Sequence, residues 1–434
     1  MAARAENALR TPARVGVPFR VGSLLLLAIF VAGMAAWGYQ FSQGLIVTGM
    51  RNVVTWGLYI TFFMLFVGLS AGGLIVASAG TLFGVRRLLP LAPLAIWVSL
   101  VTVLTAALLI LPDMGHPERL LNLFLHAQLT SPLIWDVAII LGYAVISAIY
   151  LWLHLRPALA ARGSRWAFTK APLSDSQKAR NESVIHGFAY VALPLAIAIH
   201  SVTAWIFGLQ PARPYWDSAI LAPLFITSAL VSGLGLLIVV ILAARRFRLL
   251  DVPAETVSWL GGLLAVFIAT DFFMLFADYL TALYAGGPMR TDPINLLLSG
   301  QYSWAFFSEI ALGLVAFLLL FTKRTRANLG IVGLAGVLAV VSIFFKRFGL
   351  ILAGFHYPLV ASQPGISVGE VTSTTASGIP TEAPFAVLGS YTPTGIEIAV
   401  IAGILALWLL AVVLGVRFLP IRGESAGDES AVGQ

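Results

Sequence analysis

Long apolar runs recur ten times along the chain, at about residues 21–40, 54–83, 89–112, 132–155, 182–208, 218–244, 257–285, 300–322, 327–345 and 394–417. A bilayer's hydrocarbon core is crossed by roughly 20 such residues in a helix. Lipid offers no hydrogen bonds to an open backbone, so a run of this length spans as a helix. The chain has 434 residues, of which 59% are hydrophobic and 10% charged, against roughly 25% charged in a soluble domain. This excludes an ordinary soluble protein and predicts an all-α integral membrane protein with about ten transmembrane helices.

The net charge of +7 does not point to nucleic acid, because the basic residues lie in short segments between the runs. Twenty of the 26 Lys and Arg fall on the side of the N-terminus; only Arg51, Arg119, Arg213, Arg290, Lys346 and Arg347 fall on the other. Basic residues are retained on the cytoplasmic side, so both termini are expected in the cytoplasm and the connection Leu111 to Asp136 outside. The first run is expected to stay in the chain as a span, since no cleavage site of the A-x-A kind follows it. There is no cysteine, which removes disulfides, thiolate metal sites and Cys-ligated clusters from this chain.

Ionisable groups inside apolar spans are costly and mark function by default. The candidates are few: His186 and His200 in the fifth span, Asp271 and Asp278 in the seventh, Glu309 in the eighth, and Asp113 and Asp136 at the ends of the third and fourth. Each also has a structural reading. Asp113 could stop its helix and pair with Arg119. Asp136 suits a helix N-terminus. Glu309 could pair with Arg290, Lys346 or Arg347. His116 precedes Pro117 in a turn and reads as solvated. His186 and His200 lie on nearly one helix face, but no second helix carries a matching pair, so bis-histidine haem is not expected. The glycines and alanines of "GLSAGGLIVASAG" (68–80) let a neighbouring helix approach closely.

Several segments in order resemble one family. "TWGLYITFFMLFVGLSAGG" (55–73) is similar to the first core helix of the NrfD/PsrC-type (polysulfide reductase) membrane subunits. "LPDMGHPERLLNLFLHAQLTSPLIWDV" (111–137) resembles their D-x-G-[RH]-P-x-R…SP-x-x-W-D connection. "LPLAIAIHSVTAWIFGL" with "RPYWDSAILAPLFITSALVSG" (193–233), "FSEIALGLVAFLLL" and "YTPTGIEIAVIAGI" extend the likeness over roughly residues 50–420. The ten-helix form is similar to the hydrogenase-2 membrane subunit and the alternative complex III subunits.

The resemblance implies two four-helix bundles with flanking helices one and ten. Its divisions are a cytoplasmic tail (1–20), flanking helix one with its external connection (21–53), the first, quinone-side bundle (54–208) and the second bundle (218–345). An external loop rich in Ser, Thr, Gly and Pro (346–393), flanking helix ten (394–417) and a cytoplasmic tail (418–434) follow. It also implies a quinone-binding subunit of a respiratory complex in a bacterial inner membrane. Menaquinone or ubiquinone would be bound, with no haem or metal in this chain. Electrons would pass to or from a ferredoxin-like partner with [4Fe-4S] clusters and a catalytic subunit, often a molybdopterin enzyme. His200 and Asp113 are then expected as acid–base groups beside the quinone. Trp56, Tyr59 and Trp205 would line its pocket, with Arg119 holding Asp113 or the partner and Trp135 and Asp136 shaping the mouth. Asp271, Asp278 and Glu309 are candidates for a proton path. Some polysulfide reductase members use a histidine on the first core helix; "LYITFFMLF" has none, which leaves that role to Tyr59, Thr61 or His200. A secondary transporter or a purely structural anchor are the competing readings.

Overall fold

The computed structural model describes residues 17–169, 171–211, 213, 215–247, 249–285, 287–356 and 389–421. Most of the two tails and of the expected external loop therefore lies outside the described residues. Ten helices are long and apolar enough to cross a membrane, and no strand occurs among the described residues; the chain is an all-α, multi-pass membrane protein. The helices are α1 (Val17–Gln43), α2 (Leu58–Leu82), α3 (Ala92–Asp113), α4 (Pro132–Ala161), α5 (Asp175–Gly208), α6 (Leu221–Arg246), α7 (Ala254–Ala285), α8 (Ser303–Phe321), α9 (Leu329–His356) and α10 (Gly395–Phe418). We call the side carrying the α3–α4 connection distal and the opposite side proximal.

Local chemistry sets several starts. Ser131 caps α4 ahead of Pro132, whose missing N–H costs nothing in a first turn. Ser174 with Gln177 and Thr394 with Glu397 form capping boxes on α5 and α10. Beyond α3, Gly115 takes a left-handed φ of 66°, which lets the chain turn at once from the membrane.

Helices α2 to α5 pack as one group of four, with α2 against both α3 and α5 and α4 against both α3 and α5. Helices α6 to α9 form a second group in the same way. The groups meet through α2, α5, α6 and α9. Helix α1 pairs with α10, and α10 leans on α3. Helix α2 is the centre of the molecule, its most apolar stretch 89% buried, whereas that of α1 is 6% buried and faces lipid.

One expected boundary moves. Helix α9 runs on to His356 rather than ending at 345, so Lys346 and Arg347 are buried within it and do not begin an external loop. The pair reads as a membrane edge in sequence, but carboxylates from neighbouring helices hold Lys346 inside.

The bundles touch where α2 crosses α6. A Cβ on Gly72 would lie 2.2 Å from the backbone carbon of Gly233, so only glycine permits this approach, as the 68–80 pattern suggested. Gly72→Ala should force the bundles apart and lower stability in detergent by about 1–3 kcal/mol. Gly142→Ala, where nothing lies within 4 Å of the added atom, should leave the melting temperature in place. Equal melting of both variants would show that this crossing is not tight.

Candidate functional site

The distal ends of α1, α2, α3 and α10 gather one polar cluster. Tyr59, fully buried on α2, donates a 2.5 Å hydrogen bond to Gln40 Oε1 of α1. Gln40 Nε2 donates to the carbonyl of Pro112 at 2.7 Å, one residue before Asp113. The Oδ1 atom of Asp113 is buried and accepts no hydrogen bond from the described residues. Glu397 of α10 is also fully buried but amply satisfied: it accepts from the Gly49 N–H at 2.8 Å, the Tyr391 hydroxyl at 2.6 Å and the Thr394 N–H at 2.9 Å. Tyr391 in turn accepts the Leu58 N–H at the start of α2, at 2.8 Å. Burial, then the nearby Glu397 carboxylate, holds the Tyr391 phenol well above its ordinary range. An uncharged Tyr391 therefore ties the flanking pair to the core.

The expected partner of Asp113 is elsewhere. Arg119 lies exposed in the turn Pro117–Leu121 and makes no ion pair with Asp113. The turn satisfies itself locally: His116 Nδ1 meets Glu118 Oε1 at 2.8 Å, both exposed. A backbone hydrogen bond and the His116 contact hold the Glu118 carboxyl below the usual range.

A second cluster sits between α4 and α5. Thr203 Oγ1 donates to the buried Asp136 Oδ1 at 2.6 Å. His200, one turn before Thr203, is buried, and its Nε2 has no hydrogen-bond partner among the described residues. Arg347 of α9 is close enough to act on it electrostatically. Asp113 and His200 thus belong to separate clusters rather than to one pair. Three aromatic candidates point away from both. Trp205 is 40% exposed on the outer surface. Trp135 is exposed and donates its indole N–H to Leu129 O at 2.6 Å. Trp56 belongs to an aromatic seal between the bundles, its ring centroid 5.5 Å from Phe207 and 5.8 Å from Phe355. Arg213 covers that seal, with its guanidinium carbon 4.6 Å from the Phe355 ring centroid.

Two of the three acidic residues of the second bundle, Asp271 and Glu309, come together around one cation, while Asp278 is held by another. Lys346 Nζ lies 2.7 Å from Asp271 Oδ2 and 3.8 Å from Glu309 Oε1. Thr227 donates to Asp271 Oδ1 at 3.1 Å. Neither Arg290 nor Arg347 takes Glu309: Arg290 pairs with Asp278 at 3.4 Å, and Arg347 bonds Ser228 and lies over the Phe225 ring, 3.6 Å from its centroid. Ser218 also donates to Asp278, at 2.9 Å. A small cavity of about 40 Å³ joins Asp278, Tyr215 and Tyr279 to Glu309, Lys346 and Arg347, enough for two or three waters by volume. Burial raises the Tyr215 phenol far above its ordinary range, so it can pass a hydrogen bond without ionising. On α7, the residues proximal to Asp271 on this face are Ile268, Leu264 and Leu260, all buried and apolar. A larger cavity of about 690 Å³ lies at the proximal end, lined by Glu255, Trp259, Lys323 and Arg326 among others; it touches none of these groups.

Sequence reasoning missed Gln40, Glu397 and Tyr391 as members of the Asp113 cluster. Only Glu397 left a signal, the T-x-x-E capping box of "TGIE".

Comparison with known proteins places these features. The family described as polysulphide reductase, NrfD, matches residues 46–358. The chain is 40% identical over 404 residues, 92% of its own length and 90% of the other's, to a putative dimethyl sulfoxide reductase membrane protein of Halobacterium salinarum. It is 26% identical to one of the selenate reductase subunits of Mesobacillus selenatarsenatis, over 77% of this chain and 82% of that one. It is 24% identical to an Hdr-like menaquinol oxidoreductase integral membrane subunit of Archaeoglobus fulgidus, over 94% of each. With a family match across most of its length, ten spanning helices and these buried polar clusters, the chain belongs to the NrfD polysulphide reductase family.

Proposed function

We propose that this protein is the quinone-binding membrane subunit of a reductase complex. It would exchange electrons between menaquinone or ubiquinone and an iron–sulfur partner on the distal side. A catalytic subunit, often a molybdopterin enzyme in this family, would lie beyond that partner. The names of the similar proteins above support a reductase membrane subunit, and one of them names menaquinol. The excess of basic residues on the proximal side supports cytoplasmic termini in a bacterial inner membrane.

The observation that carries the reading is Asp113. A carboxylate oxygen buried without a donor, beside a neutral Tyr59–Gln40 pair and under the distal connection, is an incomplete hydrogen-bond site. The ring oxygens and hydroxyls of a quinone couple are the acceptors and donors that such a site fits. When bound, the couple would take up two electrons and two protons as quinone or give them up as quinol. Asp113 holds or releases a proton at its carboxyl, Tyr59 fixes its neighbour through Gln40, and the apolar ends of α2, α3 and α10 exclude bulk water. His200 and Asp136 form a second acid–base position on the same side. Trp56, Arg119, Trp135 and Trp205 stand at a helix seal, at the surface or against lipid, and no contact with the ring is assigned to them.

Asp278, Glu309 and Asp271, linked through Lys346 and the small cavity, would carry protons from the distal side as far as mid-membrane.

Asp113→Asn in the assembled complex should lower quinone-linked turnover by roughly 10²-fold, the usual scale for a lost general acid or base. Turnover with an artificial electron donor that bypasses this subunit should persist; unchanged quinone-linked turnover would refute the role. For the second bundle, Asp271→Asn should abolish proton translocation in proteoliposomes. Because it leaves buried Lys346 with only the longer Glu309 contact at 3.8 Å, and breaking a buried pair destabilises by several kcal/mol, the double variant Asp271→Asn, Lys346→Gln serves as the folded control. Translocation intact in both removes the path.

A further inference from the structure

We propose that the cleft between α7 and the turn joining α8 to α9 binds an anionic phospholipid, with an acyl chain along α7 and the phosphate held by Lys323 and Arg326. The site lies at the proximal end and does not depend on the quinone reading. Its cavity of about 690 Å³ is lined by Ser258, Trp259, Gly262 and Val266 of α7, and by both cations of the helical turn Lys323–Arg326. Ser258, Gly262 and Val266 are four residues apart, which puts them on one side of the helix. From Glu255 at the mouth to Val266 the floor runs about 16 Å at 1.5 Å per residue, close to half of the roughly 30 Å hydrocarbon core. The cleft therefore has the depth of one leaflet.

Floor and cation fit each other. A Cβ on Gly262 would meet Arg326 Nη1 at 2.8 Å and Cζ at 3.2 Å, so the guanidinium rests on bare helix backbone. Its Nη1 donates to the Leu320 carbonyl at 3.1 Å, while its Nε is buried and bonded to nothing among the described residues. A guanidinium carries five N–H donors, and one bond to a carbonyl leaves most of them for a ligand. Thr322 accepts the Thr325 N–H at 3.2 Å, which fixes the turn that carries both cations. Trp259 forms an aromatic wall. It is held by Arg87 of the α2–α3 connection, whose guanidinium carbon lies 5.5 Å from the ring centroid. Tryptophans at such a membrane edge sit at headgroup level.

Charge names the occupant. Among the described residues no carboxylate pairs with Arg87, Lys323, Arg324 or Arg326. Glu255, the acid that lines the cleft, sits in the first turn of α7, where the helix dipole already suits it. Two other cations on this side are taken up by the protein itself: Lys178 pairs with Asp175, and Arg245 donates to the Val252 carbonyl. A lipid phosphate brings the missing negative charge, and its oxygens accept from a guanidinium fork. Basic pockets between spanning helices above an apolar floor suit acidic lipids. A soluble anion would leave the stretch from Gly262 to Val266 uncovered, and a zwitterionic lipid would bring its own cation against Lys323. Bound here, the lipid ties α7 to the α8–α9 turn and stiffens the second bundle.

The test titrates the delipidated complex in detergent with dioleoylphosphatidylglycerol or dioleoylphosphatidylcholine. Bound lipid is counted by native mass spectrometry, and the melting temperature is followed. The wild type should bind phosphatidylglycerol roughly tenfold or more tightly than phosphatidylcholine and melt higher as it is added. Lys323→Gln with Arg326→Gln should weaken phosphatidylglycerol roughly 25-fold, about fivefold for each cation, and cancel the melting shift. Val266→Trp, which fills the floor and keeps every charge, should weaken it too. Lys178→Gln with Arg180→Gln removes two proximal cations away from the cleft and should change neither readout. Equal affinity for the two lipids, an equal loss in the Lys178 and Arg180 pair, or unchanged binding in the cleft variants overturns the site. Inorganic phosphate bound as tightly as phosphatidylglycerol, or a cross-link from Lys323 to another polypeptide of the complex, overturns lipid as its occupant.

Discussion

Hydrocarbon leaves a polar group no solvent, so each one buried in this chain must find a partner in another helix or in trapped water. The arrangement of the ten helices follows from how that demand is met. Lys346 sits between Asp271 and Glu309, from α7 and α8, and so gathers three helices of the second bundle around one ammonium. Glu397 and Tyr391 bind the start of α10 to the 49–58 segment. Where no polar group is needed, the helices close on glycine instead, as at Gly72 and Gly233. Satisfied groups hold the frame together; unsatisfied ones, such as those of Asp113 and His200, are where chemistry can enter.

The spans were legible in sequence because hydropathy alone decides them. The membership of α1 and α10 as a flanking pair came only from family likeness, since their contact rests on small residues such as Gly33 and Gly403 that carry no long-range signature. The end of α9 was misread for an instructive reason. A Lys–Arg pair after an apolar run is the ordinary mark of a membrane edge, and only the fold reveals that carboxylates wait for it on neighbouring helices.

The candidate site was legible residue by residue and not as an assembly. Asp113, Asp136, His200, Asp271, Asp278 and Glu309 stand out because charge is rare in apolar runs, and all are buried or nearly so. Their grouping was hidden, because Gln40, Arg347 and Glu397 come from segments far along the chain. The aromatic candidates fared worst. Trp56, Trp135 and Trp205 look alike in sequence, but a ring is equally at home sealing a helix interface, capping a turn or facing lipid.

The two bundles bury their polar groups in opposite halves of the membrane. In the second, polar groups descend from Asp278 and Arg290 at the distal side to Asp271 and stop at Ile268 and Leu264. In the first, they rise from His154 and Asn181 at the proximal side and are broken at Ile140. Neither bundle carries a continuous polar line across the membrane among the described residues. Between these two regions lies the contact of α2, α5, α6 and α9, with His200 on α5 and Arg347 on α9. Arg347 cannot lose its proton under physiological conditions, so it fixes a positive charge there. In the proposed role, charge brought to the seam of the two packed bundles would therefore meet a fixed cation, held by Ser228 and the Phe225 ring.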